Sequence, residues 1–94
     1  METKELLETR GEIYGDYIGN VHTRLDLMET IEKRYNSVHN DIMGPLEWMF
    51  FWDILAKLAR LAVTPTHVDS WKDIIGYTTL VLTHLEKEKE ENII

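Results

Sequence analysis

The chain has 94 residues, 44% of them apolar and 29% charged, with no cysteine. That is one ordered domain's worth of sequence, with no disulfide framework, thiolate nucleophile or cysteine zinc site. Ten basic residues against 17 acidic ones leave a net charge of −7, which argues against binding duplex nucleic acid through many neutralised phosphates but leaves room for a local cationic pocket. The segment Met1 to Glu5 carries charged residues at Glu2, Lys4 and Glu5 and no apolar run follows it; with no stretch of ~20 apolar residues to span a bilayer, a soluble protein is expected, with no membrane partner.

In chain order, residues 1–9 read as a short helix stopped by Gly11 as a C-terminal cap. Arg10 to Tyr17 then hold two glycines and two tyrosines, the composition of an ordered connection with Gly15 at a turn. From Asn20 the apolar residues Val21, Leu25, Met28, Ile31, Tyr35 and Val38 return at three- and four-residue steps, which predicts a helix over 20–40. Pro45 suits the first position of the next helix, expected over 45–63. That segment is apolar nearly all round and asks to be buried on every side. So short a chain lacks the protein to do this, so the Trp48 to Trp52 end is expected in a homo-oligomer interface. A central core helix of a compact monomer is the other reading.

The last helix is expected over 68–89, capped by Ser70 with Asp73 or by Thr66 with Asp69. Its core stripe is Trp71, Ile74, Ile75, Thr78, Val81, Leu82 and Leu85, with the charged tail Glu86 to Glu91 running into solvent. The fold class is therefore all-α: a small helical bundle of three long helices plus a short N-terminal one, in a single domain over 1–94 that gains its missing burial by self-association.

The polar residues that could carry chemistry fall in two groups. Asp53, Lys57, Arg60 and Thr64 share a face of the 45–63 helix, and Asp69, Asp73 and Tyr77 share a face of the last one. The short link between these helices makes them an antiparallel hairpin, which gathers two cations and several carboxylates at one end. The structural outcome is a salt-bridge network pairing Arg60 with Asp69 or Asp73. The functional outcome uses Lys57 and Arg60 as phosphate ligands, with Asp69 and Asp73 orienting them. A third makes Asp53, Asp69 and Asp73 oxygen ligands of Mg²⁺; otherwise no metal and no cofactor is expected. His67, at the head of the last helix, either caps it or touches a phosphate. Tyr14, Tyr17, Trp71 and Tyr77 are core residues or stacking surfaces for a base. His22, His39 and His84 lack metal-ligand spacing, and no nucleophile elbow or phosphate loop occurs, so no catalytic residue is assigned.

Arg10-Gly11-x-x-Tyr14-Gly15-Asp16, Lys57-x-x-Arg60 and Asp69-x-x-x-Asp73-x-x-Gly76-Tyr77, in that order, resemble a family of short phage and prophage proteins known as a domain of unknown function. The resemblance covers residues 8 to 85. That family is in turn similar to phage nucleotide-modification-associated domains and to all-α, MazG-like nucleoside triphosphate pyrophosphohydrolases. The chain lacks the Glu-Glu-x-x-Glu helix of those hydrolases: Glu29 and Glu32 stand three apart with no adjacent pair before them, and Glu88, Glu90 and Glu91 lie in the tail. The resemblance implies a small nucleotide ligand in a host bacterial cytoplasm, bound by Lys57, Arg60, Arg10, Tyr14, Tyr77, Asp69, Asp73 and His67. The leading expectation is a non-catalytic sponge for a cyclic nucleotide messenger of anti-phage defence. The alternatives are a Mg²⁺-dependent pyrophosphohydrolase and a protein-interaction module built on the Trp48 to Trp52 surface.

Overall fold

The computed structural model describes residues 3–93, and the backbone but not the side chain of Ile93; residues 1 and 2 of the expected N-terminal helix lie outside that range. Four helices follow one another: α1 (Thr3–Tyr14), α2 (Tyr17–His39), α3 (Pro45–Val63) and α4 (Val68–Ile93). Among the described residues there is no strand, and no helix is long and apolar enough to cross a membrane.

The all-α architecture is as expected, with changed boundaries at both ends. Gly11 does not stop α1, which runs through it to Tyr14. The break comes at Gly15, whose φ of +83° is open to glycine and strained for other residues, and whose N–H donates to the Gly11 carbonyl at 3.0 Å. Asp16 then opens α2 three residues earlier than the apolar spacing predicts, its carboxylate accepting from the Gly19 N–H at 2.8 Å. Asn40, in the left-handed conformation, closes α2. Pro45 occupies the first turn of α3 as expected. At the far end α4 stays helical through the charged tail to Ile93.

α3 is the central helix, packed against α2, α4 and α1. Met28, Met43 and Leu55 form one core cluster, with Ile31, Tyr35, Trp48 and Trp52 packed on it, and Ala59 and Leu61 are buried further along α3. The tryptophans expected at an oligomer surface are thus turned toward α2. They stack at 4.8 Å, Trp48 donates its indole N–H to Glu32 at 2.6 Å, and the Arg24 guanidinium lies 3.7 Å from the Trp52 ring centre. Leu46, Met49 and Phe51 of the same helix remain exposed.

The head of α4 differs from both capping pairs expected. His67 caps it: its Nδ1 accepts from the Ser70 N–H at 3.3 Å and lies 2.8 Å from the Ser70 hydroxyl, which is buried. The expected α4 stripe divides between two faces. Ile74 and Val81 are partly buried, whereas Trp71, Ile75, Leu82 and Leu85 are exposed.

Candidate functional site

The polar face of α3 does not act as one unit, because its residues find partners on three different helices. Asp53 stands 4.0 Å from the Arg24 guanidinium. Lys57 pairs with Asp73 of α4 at 2.9 Å. The Arg60 guanidinium lies 4.7 Å from the centre of the Tyr14 ring on α1. The Thr64 hydroxyl donates to the Ile13 carbonyl.

The antiparallel α3–α4 hairpin is present, but it selects different pairs from those expected. Arg60 stacks on Tyr14 instead of bridging Asp69 or Asp73, and Lys57 takes Asp73. Register explains this: Arg60 is three residues beyond Lys57, toward the end of α3 where α1 docks, so its guanidinium meets an aromatic ring before it meets a carboxylate. Asp69 is exposed and forms no ion pair among the described residues. Among those residues no three His, Asp or Glu side chains gather as a metal group. Asp53 and Asp73, two of the three aspartates considered for Mg²⁺, are each turned to a cation instead.

What the fold does build is a cleft between α1, the start of α2 and the end of α3. It is about 570 Å³ and is lined by Leu7, Arg10, Gly11, Tyr14, Gly15, Asp16, Tyr17, Asn20 and Arg60. The walls are fixed by hydrogen bonds to the end of α1, whose last carbonyls have no partner within the helix. Asn20 donates its side-chain amide to the Tyr14 carbonyl at 2.6 Å, and Thr64 ties down the neighbouring Ile13. The Tyr14 ring is further held edge-on by His67, with ring centres 5.1 Å apart. The run Arg10-Gly11-x-x-Tyr14-Gly15-Asp16 is therefore a helix end, a left-handed break and a helix cap, carrying a cation and an aromatic ring into one cleft.

Of the residues expected at the site, Arg10, Tyr14 and Arg60 come together, with His67 behind Tyr14. Lys57, Asp73 and Tyr77 fall elsewhere. Asp73 and Tyr77 line a shallow depression of about 480 Å³ on α4 with Lys72, Gly76 and Leu80. Tyr77 also borders a smaller one of about 210 Å³ with Phe50 and Asp53.

Arg24 went unread in the sequence, although it is the polar residue inside the α2 apolar stripe, four residues before the core Met28. Its Nε donates to the Trp52 carbonyl at 2.9 Å. Burial lowers the pKa of its guanidinium, while Asp53 opposes the shift by favouring the charged form. Asn20 and Asp16 were missed as well; a polar residue directly after a positive-φ glycine is the available signal for the cap.

No protein-family model matches the chain, and no curated protein or solved structure gives a significant match.

Proposed function

We propose that the protein binds a small nucleotide in the cleft between α1, α2 and α3 and holds it without turning it over, as a sponge for a cyclic nucleotide messenger would. The observation that carries this reading is the convergence of Arg10, Arg60 and Tyr14 on one cleft of about 570 Å³. That volume falls in the ~300–1,000 Å³ range of small-molecule sites. Arg10 and Arg60 supply donors in a planar fork suited to phosphate oxygens. Tyr14 and Tyr17 offer aromatic faces to a base. Asp16 at the rim opposes a bare anion, so the base and sugar must contribute to affinity. Lys57, Asp69, Asp73 and Tyr77 leave the list of direct ligands under this reading. The phage setting rests on the motif resemblance, and the working unit is a homo-oligomer that repeats the cleft.

A thermal-shift series with linear and cyclic nucleotides, with and without Mg²⁺, tests the proposal, since a ligand specific for the folded state raises Tm by mass action. A metal-independent shift with the ligand recovered intact is expected. It should fall at least tenfold in affinity in Arg10→Ala and Arg60→Ala and persist in Lys57→Met, which lies outside the cleft. No shift with any nucleotide, or unchanged binding in both arginine variants, overturns it. Release of pyrophosphate dependent on Mg²⁺ replaces it with the hydrolase reading.

A further inference from the structure

The chain leaves far more surface in water than its mass requires. It exposes 7420 Å², whereas a compact monomer of its 11.1 kDa exposes about 5,700 Å². Its radius of gyration is 16.4 Å, against about 12 Å for a compact domain of this length. The excess, about 1,700 Å², is roughly twice the ~800 Å² that each partner contributes to a standard interface.

Among the described residues, five of the exposed large apolar side chains share the outer face of α4. Val68, Trp71, Ile75, Leu82 and Leu85 are 60, 50, 65, 56 and 47% exposed, and Thr78 completes the series. Their steps of three, four, three, four and three are the a and d positions of a heptad repeat, carried on the face turned away from α3.

We propose that two copies of this chain pair through these faces with their α4 helices antiparallel. The charges favour that direction. A parallel pair would place the Glu86, Glu88, Glu90 and Glu91 tails side by side, whereas an antiparallel pair lays each acidic tail beside the other copy's helix N-terminus, where negative charge is favourable. The register that overlaps the full helices opposes Ile75 with Leu85 of the second copy and Thr78 with Leu82. It brings Lys72 beside the second copy's Glu86 and sets Lys89 over the Trp71 ring. No α4 residue lines the Arg10–Arg60 cleft, so the paired face and the cleft share no residue. The inference names an interface for the homo-oligomer proposed above and does not depend on whether the cleft binds a nucleotide.

Sedimentation equilibrium across a concentration series should give twice the chain mass. Ile75→Glu with Leu82→Glu should give the monomer, with helix content by circular dichroism kept, because both residues are exposed. As the chain has no cysteine, the register can be read directly by mixing Thr78→Cys chains with Leu82→Cys chains under oxidising conditions. A disulfide between the two kinds of chain is expected, and none within either kind alone. A monomeric wild type, a dimer that survives the double glutamate change, or disulfides formed within each kind alone overturns the proposal.

Discussion

Gly15 is where one residue's backbone decides the geometry of the candidate site. Its positive φ turns the chain from α1 into α2, and a Cβ there would stand 2.7 Å from Val63 Cγ2. Gly15→Ala therefore meets both a left-handed cost of about 1–2 kcal/mol and a clash with the end of α3. We expect a loss of roughly 2 kcal/mol or more in urea unfolding, together with weakened nucleotide binding, since Tyr14 and Asp16 flank the break. A loss under half a kcal/mol would mean that the break is not held as described. The glycine's role was legible in the sequence because the chemistry is local. Arg24 was not, because what makes it important is Trp52 and Asp53, 28 and 29 positions away, and no periodicity on α2 shows them.

At the scale of elements, some boundaries followed the expected local signals and others moved to a stronger local signal or to a contact with another helix. Pro45 set the start of α3 and Asn40 closes α2 close to where Gly44-Pro45 predicts. Gly11, read as a stop, is carried inside α1, because Gly15 four residues later supplies the better left-handed position. Gly76 is the converse case: it lies within α4, and a Cβ there would meet nothing within 4 Å. Gly76→Ala should stabilise the protein by about 0.5–1 kcal/mol through reduced unfolded-state freedom, read as a rise in Tm with binding in the Arg10–Arg60 cleft unchanged. A fall in Tm would show that something packs on that face. The division of the α4 stripe was not legible for a related reason. Apolar residues on two faces of one helix look alike in sequence, and only the position of α3 shows that Ile74 and Val81 have a partner while Ile75 and Leu82 have none.

At the scale of the whole molecule, the governing fact is unburied surface. The structure extends 55 × 27 × 23 Å, an elongated form with few fully buried apolar side chains. If the α4 faces pair, folding and association are linked, and Tm must rise with protein concentration. Thermal melts over a hundredfold dilution should show that slope in the wild type and lose it in the double glutamate variant; a flat wild-type slope would leave the chain to fold alone. The sequence by itself determined that the protein is helical, where α3 lies and that Gly15 breaks the chain. These follow from backbone sterics, capping and periodicity, all set within a few residues. Only the tertiary structure decided which cation meets which carboxylate or ring, and therefore that Arg10, Arg60 and Tyr14 share a cleft while Lys57 and Asp73 form a pair apart. That choice depends on the rotation and register of one helix against another. A shift of a single turn exchanges all the partners without altering any local preference.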